Sequence, residues 1–238
     1  MIAYSSKYRS SQEEIMDNFE LQGSELDHLL KDLKIVNTLL GGFSISLAGL
    51  DELIKDLPKN KQLTLIDLGC GDGEQLRQCA QWAKKKQVRL HCIGIDANKH
   101  ILEIARDRST THDNITFQLL DLKEESHKLP DFDIALCTLF LHHLTNEDVI
   151  ALLQKLSKKA RLGILVNDLH RSRWAFVLFT LFRSLFLKTK IAKYDGLVSV
   201  ARGFKRKELI KLCQSINGIH SVSWHWAFRY KWIIKTNP

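Results

Sequence analysis

From Gln62 to Asp168 the chain alternates short aliphatic runs with longer amphipathic ones, and this alternation restricts the fold more than any other feature. "LTLIDLG", "VRLHCIGID", "ITFQLLD", "FDIALCTLF" and "RLGILVND" read as strands; "GEQLRQCAQWAKKK", "NKHILEIARDRS" and "NEDVIALLQKLSKKA" read as helices. Strands separated by helices of this length run parallel through crossovers, which stack into a doubly wound α/β sheet. The C-terminal "HSVSWHWAFRYKWIIKT" has no helix between its halves and predicts an antiparallel hairpin on the sheet edge. Ahead of the alternation, residues 11–57 read as helical. Leu26, Leu29, Leu30, Leu33, Val36, Leu39 and Leu40 recur at three- and four-residue intervals until Gly41 and Gly42. A second helix is predicted from about Leu47 to Leu57, stopped by Pro58.

The first strand runs into Asp67-Leu68-Gly69-Cys70-Gly71-Asp72-Gly73. Glycine costs backbone entropy, so its repetition there implies a need for dihedral freedom or for space. In an open α/β sheet, ligands bind beyond the carboxyl ends of the strands, where this turn lies. The helix N-terminus that follows suits a phosphate, but Asp67 and Asp72 crowd the turn and favour a cationic group, an ammonium or a sulfonium. No Gly-Lys-Ser/Thr is present, which argues against a P-loop. Asp96 ends the second strand in "CIGIDAN", where a carboxylate can accept from both hydroxyls of a ribose. That spacing suits NAD as well, but these glycines alternate strictly after an acid instead of following G-x-G-x-x-G. Asp121 ends the third strand in "LLDL". Any one of these acids alone could be a helix cap or a surface charge. Together they put one carboxylate from each of three consecutive strands on one edge.

"LIDLGCGDG", "GIDAN", "FQLLDLKEES" and "FDIALCTLFLHHL" resemble the successive motifs of class I S-adenosylmethionine-dependent methyltransferases, from about Gln62 to the C-terminus. The resemblance implies a Rossmann-like, mostly parallel seven-stranded sheet with an antiparallel C-terminal edge. It implies a methyltransferase domain over 61–238, an N-terminal helical extension over 1–60, and a lid inserted after strand five at about 171–205. It further implies that Asp67, with Gly69, Cys70 and Gly71, holds the methionine end of S-adenosylmethionine. Asp96 and Ala97 would lie at the ribose, Asp121 and Leu122 at the adenine, and Cys137 and Thr138 near the sulfonium.

Methyl transfer is an in-line displacement that depends on holding the acceptor against the methyl group. A hydroxyl acceptor also needs a base, and histidine titrates in the right range. His142 and His143 follow strand four and His170 follows strand five; His143 and His170 are the candidates, although an "hLHHL" segment in this superfamily often only shapes the cofactor pocket. Trp174 to Leu187 is nearly all apolar and flanked by Arg171, Arg173, Lys188 and Lys190. It is too short to span a bilayer. It reads as a cap over a lipophilic or aromatic acceptor, as an interfacial anchor at phospholipid headgroups, or as a core helix. This stretch and the N-terminal helices resemble a narrower bacterial subgroup, through Glu14 to Asp17, Asn37 with Gly41 and Gly42, Asn167 to Ser172, and Asp195 to Leu209. That resemblance implies phenolic, quinol or polyketide-like acceptors. It nominates Asn167, Asp168, Arg171, Asp195, Ser199 and Arg202 as a polar cluster around them; as caps and salt bridges, the same residues would only fix the lid.

The 238 residues carry a formal net charge of +8, which leaves nucleic acid, an anionic surface or an acidic substrate as partners. Methyltransferases acting on exocyclic amines of bases commonly end strand four with an Asn/Asp-Pro-Pro-aromatic motif; "CTLFLHH" has no proline, and Cys137 lacks the Pro-Cys setting of a cytosine nucleophile. Asn167 and Asp168 offer too few oxygens for magnesium, so no metal ligand is assigned. Five scattered cysteines and an N-terminus without an apolar leader predict a reduced, cytoplasmic protein. The expected reaction is O-methylation of a small aromatic or lipophilic acceptor by a monomer or homodimer, with peripheral membrane contact through 174–187. Carbon methylation of a quinol-type ring, RNA methylation and a non-catalytic scaffold are the alternatives.

Overall fold

Leu63, Leu65, Ile66 and Leu68 are buried because the strand that carries them, β1 (Gln62–Leu68), is the centre of a sheet covered on both faces. In this computed structural model, which describes residues 2–58 and 61–236, β1 pairs in parallel with β2 (Arg89–Asp96) on one side and β4 (Ile134–Thr138) on the other. With β3 (Ile115–Leu119), β5 (Gly163–Leu169), β6 (Ile219–His225) and β7 (Arg229–Lys235), the strand order is β3-β2-β1-β4-β5-β7-β6. β7 enters the sheet antiparallel to β5 and carries β6 as the outer edge. The order reverses between β1 and β4, where the connections leave to opposite faces and a crevice opens beyond the strand ends.

Helix α2 (Gly42–Ile54) and α3 (Glu74–Lys86) cover one face, packing Leu50, Leu53, Leu76 and Cys79 against Leu63, Leu65 and Leu165. On the other face, α6 (Asn146–Lys159) and α9 (Arg206–Gln214) bring Val149, Leu153, Leu156 and Leu209 onto Ile66, Leu68 and Trp232. A third apolar cluster roofs the carboxyl edge of the sheet. It joins α1 (Gly23–Leu39), α4 (Lys99–Arg108), α7 (Arg173–Phe186) and α8 (Lys190–Arg202) through Leu26, Leu29, Ile101, Phe179, Leu197 and Val200. The short α5 (Leu122–Glu125) follows β3.

Two expectations for the N-terminal segment are corrected. Residues 11–22 are not helical beyond a single 3-10 turn, Ile15–Asp17, because the Ile15 and Met16 amides are taken by the Asp195 carboxylate of α8 at 2.8 and 3.0 Å. The second helix starts at Gly42, not near Leu47: Gly41, at φ 67°, turns the chain and α2 follows at once. α2 packs closely on the sheet, since a Cβ on Gly49 would lie 2.5 Å from Leu165 Cδ1. The expected boundary after residue 60 falls at residues 59 and 60, outside the described residues. The apolar stretch after β5 is α7, which packs Ala175 and Phe179 into the third cluster with the N-terminal helix and leaves Trp174, Val177, Leu181 and Leu185 exposed on its other side.

Candidate active site

A crevice of about 1060 Å³ lies at the carboxyl ends of β1 to β4, under the roof of α1, α7, α8 and the Ile15–Asp17 turn. Its floor is the glycine turn. Gly69, Gly71 and Gly73 all have φ between 54° and 76°, a region that other L residues enter only under strain. A Cβ on Gly69 would sit 2.5 Å from the Phe140 ring, whereas one on Gly71 would meet nothing within 4 Å. The first glycine is therefore required by packing; the second leaves backbone exposed to whatever occupies the crevice.

Asp96 ties down this turn, accepting from Gly71 N and Asn98 N at 3.0 Å each. Asp67 lines the crevice while only 2% exposed, and its Oδ1 has no hydrogen-bond partner. Burial, reinforced by the Asp96 charge, holds the Asp67 pKa well above the usual carboxylate range. A buried carboxylate with an unused oxygen beside a second carboxylate is a site for a cationic donor such as an ammonium. Asp72 is not the second acid of the turn, as the sequence suggested: its carboxylate is already paired with Arg77, at 3.2 Å, and with Arg108. Cys70, Ala97, Asp121, Leu122 and Thr138 also line the crevice. Cys137 does not. Strand alternation turns it into the core beside Ile66 and Val166, wholly buried, while Thr138 faces the cavity.

Also in the crevice lining, two histidines meet a carboxylate. The turn after β4 sends His142 inward and leaves His143 partly exposed. His142 Nδ1 is 2.7 Å from Asp168 Oδ1 and its Nε2 is 3.3 Å from Glu14 Oε1. Burial opposes a charge on this ring, but Asp168 and Glu14 outweigh it and the His142 pKa is pushed up to about 9. His143 Nδ1 lies 3.0 Å from Asp17 Oδ1, and its Nε2 3.9 Å from Glu14 Oε2. Ser199 Oγ donates to Glu14 at 2.8 Å, and Arg202 holds the turn through the His142 and His143 carbonyls at 3.0 and 2.6 Å. Asp195 lines the same wall; burial, with Glu14 and Asp17 adding to it, raises its pKa to about 6 against two backbone bonds.

Four more nominated residues lie outside the crevice lining. Asn167, wholly buried, donates to Gly42 O at 2.8 Å and Ser46 Oγ at 3.0 Å, tying α2 to β5. Asp168 stands behind His142. Arg171, also wholly buried, pairs with Glu208 and donates to Gly203 O. His170 is not placed as a base: its Nδ1 accepts from Trp224 Nε1 at 3.2 Å and its ring packs against Tyr230. Burial, aided by Lys205, lowers its pKa. Sequence reasoning missed Glu14 and Asp17 as site residues. Their segment was singled out as a motif, but no local periodicity shows that Glu14 is buried.

Residues 65–163 match the family model described as a methyltransferase domain. No curated protein matches the chain. Among solved structures, it is similar to the plantazolicin methyltransferase BpumL in complex with SAH, at 15% identity and a TM-score of 0.64, over 87% of this chain and 90% of that one. Magnesium protoporphyrin IX methyltransferase (ChlM) from Synechocystis PCC 6803 with bound SAH is similar over 84% of both chains, at 16% identity and a TM-score of 0.54. The citrinin polyketide synthase CMeT domain matches 80% of this chain and 51% of that one, at 14% identity and a TM-score of 0.59. At these identities the likeness carries the fold.

Proposed function

We propose that this chain is an S-adenosylmethionine-dependent methyltransferase and that it methylates an oxygen of a small, lipophilic, hydroxylated acceptor. The orphaned Asp67 oxygen and the open backbone at Gly71 fit the cofactor. Asp67 with the Gly69–Gly71 backbone would hold its amino end, Asp96 the ribose hydroxyls, and Asp121 with Leu122 the adenine. When bound, it supplies an electrophilic methyl group.

The observation that carries the acceptor reading is the composition of the crevice beyond the turn. Leu33, Val36, Leu40, Phe43, Phe179 and Phe182 contribute apolar lining, and Glu14, Asp17 and His143 are among the polar residues that share it. Such a cavity excludes water around an aromatic body while presenting one end to groups that accept or stabilise a proton. The hydroxyl proton is taken up at this cluster, where Asp17 fixes the His143 ring. The roof over the crevice suits a small acceptor better than a base within a polymer. A mass-spectrometric screen of phenols and quinols with labelled methyl donor tests this. An O-methylated product is expected, with His143→Ala lowering kcat by roughly 100- to 10,000-fold while S-adenosylhomocysteine still binds. Label on ring carbon, or full turnover by His143→Ala, would contradict it.

The outer side of α7 supports a lipophilic source for the acceptor. Trp174, Val177, Leu181 and Leu185 form a row at three- and four-residue spacing, 50–70% exposed, beside Arg173, Lys188 and Lys190. Leu178 is both half-exposed and part of the crevice lining. An apolar row with a basic border suits an anionic bilayer surface. Sedimentation with phosphatidylglycerol vesicles is expected, and Leu181→Glu should reduce it without changing turnover of a water-soluble acceptor. Equal sedimentation of both proteins would contradict the contact.

A further inference from the structure

Glu14, His142 and His143 come from segments more than a hundred residues apart in sequence, yet one ligand atom from each lies within 4.8 Å of the other two. We propose that these three side chains form a binding site for a first-row divalent cation of the zinc type, facing the acceptor cavity. This rests on the reading that the crevice methylates a hydroxylated acceptor, and it states how these polar residues would act on that hydroxyl.

The geometry points to a cation in three ways. First, the two rings are oriented alike. Each Nδ1 is held by a carboxylate, His142 by Asp168 at 2.7 Å and His143 by Asp17 at 3.0 Å, which leaves each Nε2 as the ligand atom. Carboxylates in this outer position are the usual partners of metal-ligating histidines, fixing tautomer and ring angle. Second, His142 is 2% exposed, and its Nε2 meets Glu14 Oε1 at 3.3 Å as an ion pair without a hydrogen-bond partner among the described residues, so a bound cation would replace the ring proton there. That separation is close to the edge of a tetrahedron around zinc, about 3.3 Å for ligands at 2.0–2.1 Å. Glu14 presents its other oxygen, Oε2, to His143 Nε2 at 3.9 Å. Third, all three residues line the crevice, so a cation there keeps an open position on the acceptor side. Three protein ligands and one open position is the pattern of a catalytic rather than a structural zinc site.

The donor set selects the ion class. Two imidazoles and one carboxylate suit zinc, cobalt or iron; magnesium and calcium prefer oxygen. Glu14, Asp17 and Asp168 bring three carboxylates to the two imidazoles, offset in part by Arg202, 3.6 Å from Asp17, and by Arg9 at the His142 carbonyl. The sequence reading assigned no metal because it weighed Asn167 and Asp168 with the end of strand four and Asp133; Asn167 and Asp168 lie outside the crevice lining. An acceptor oxygen at the open position would ionise at a lower pH than in water, and His143 would then act by holding the cation.

The test uses protein stripped of metal and titrated with Co2+, followed by visible absorption and by metal analysis. One equivalent is expected, with d–d bands of a four- or five-coordinate site. Glu14→Gln and His143→Ala should abolish it. Asp17→Asn, which keeps all three ligands, should weaken it by roughly 10- to 100-fold. Retained S-adenosylhomocysteine binding checks that each variant is folded. No stoichiometric Co2+ in the parent, or uptake equal to that of His143→Ala, overturns the site; a methylated phenol formed by such metal-free protein leaves the acceptor reading standing. Co2+ held through these ligands, with no methylated phenol in the screen, supports the site and overturns that reading instead.

Discussion

Arg171→Ala is expected to lower the free energy of unfolding by about 3 kcal/mol or more, leaving S-adenosylhomocysteine affinity of the folded protein unchanged. The guanidinium is wholly buried. Its Nη1 donates to Gly203 O at 2.6 Å and to Glu208 Oε2 at 3.1 Å, and its Nη2 donates to Glu208 Oε1 at 2.5 Å. Glu208 in turn accepts from Lys205 N at 2.8 Å and so caps α9. Removing the guanidinium leaves a void, an unpaired carbonyl and a carboxylate without its counter-ion. Glu208 keeps 26% side-chain exposure and regains some water, which sets the cost at the lower end for a broken buried pair. Differential scanning calorimetry should show Tm lower by roughly 6–12 °C, since each kcal/mol moves a domain of this size by about 2–4 °C. Arg171→Lys should not restore it, because an ammonium cannot reproduce the two-pronged contact. A residue that bound the acceptor would behave oppositely: an unchanged Tm with a raised KM would return Arg171 to the substrate site.

The same residue illustrates what was legible in the chain. Periods of two and of three to four fixed β1 to β5, the crossover helices and the C-terminal hairpin, because burial on a sheet or helix face is written directly into spacing. The acid-led turn was equally readable, since only a close ligand or a packed ring explains glycine at 69 and 71. Side-chain direction across a layer was not. Asn167 and Asp168 are neighbours on one strand end, yet one ties α2 and the other backs His142. His142 and His143 are adjacent and both line the crevice, yet the 3-10 turn buries one and leaves the other partly exposed. Cys137 and Thr138 were taken together, although alternation sends only Thr138 to the crevice. Glu14 is placed by the grip of Asp195 on the next two amides, 180 and 179 residues away, a tertiary bond with no local signature. The charge of Asp72 was misassigned in part for the same reason: Arg77 is five residues on, but its second partner, Arg108, reaches it from α4.

Asp96→Ala should have the larger effect on binding. In the protein itself this carboxylate already holds Gly71 N and Asn98 N, so it shapes the turn as well as facing the crevice. Losing two hydrogen bonds from ribose hydroxyls to a charged acceptor costs about 3 kcal/mol or more, roughly 100-fold or greater in affinity. Asp67 adds a proton linkage with a definite sign. Burial and the neighbouring Asp96 raise its pKa, so the free protein carries a proton above the ordinary carboxylate range. An ammonium brought against Asp67 favours its ionised form, so binding releases that proton and tightens as pH rises through the raised pKa.

Calorimetric titration with S-adenosylhomocysteine, in two buffers of different ionisation enthalpy, brings these statements into one measurement. One site on the parent, a proton released at pH values between the ordinary carboxylate range and the raised Asp67 pKa, and an affinity at least about 100-fold weaker in Asp96→Ala are the results expected if acids at neighbouring strand ends grip the nucleoside. No heat of binding to the parent, or equal affinity in the variant, would contradict it.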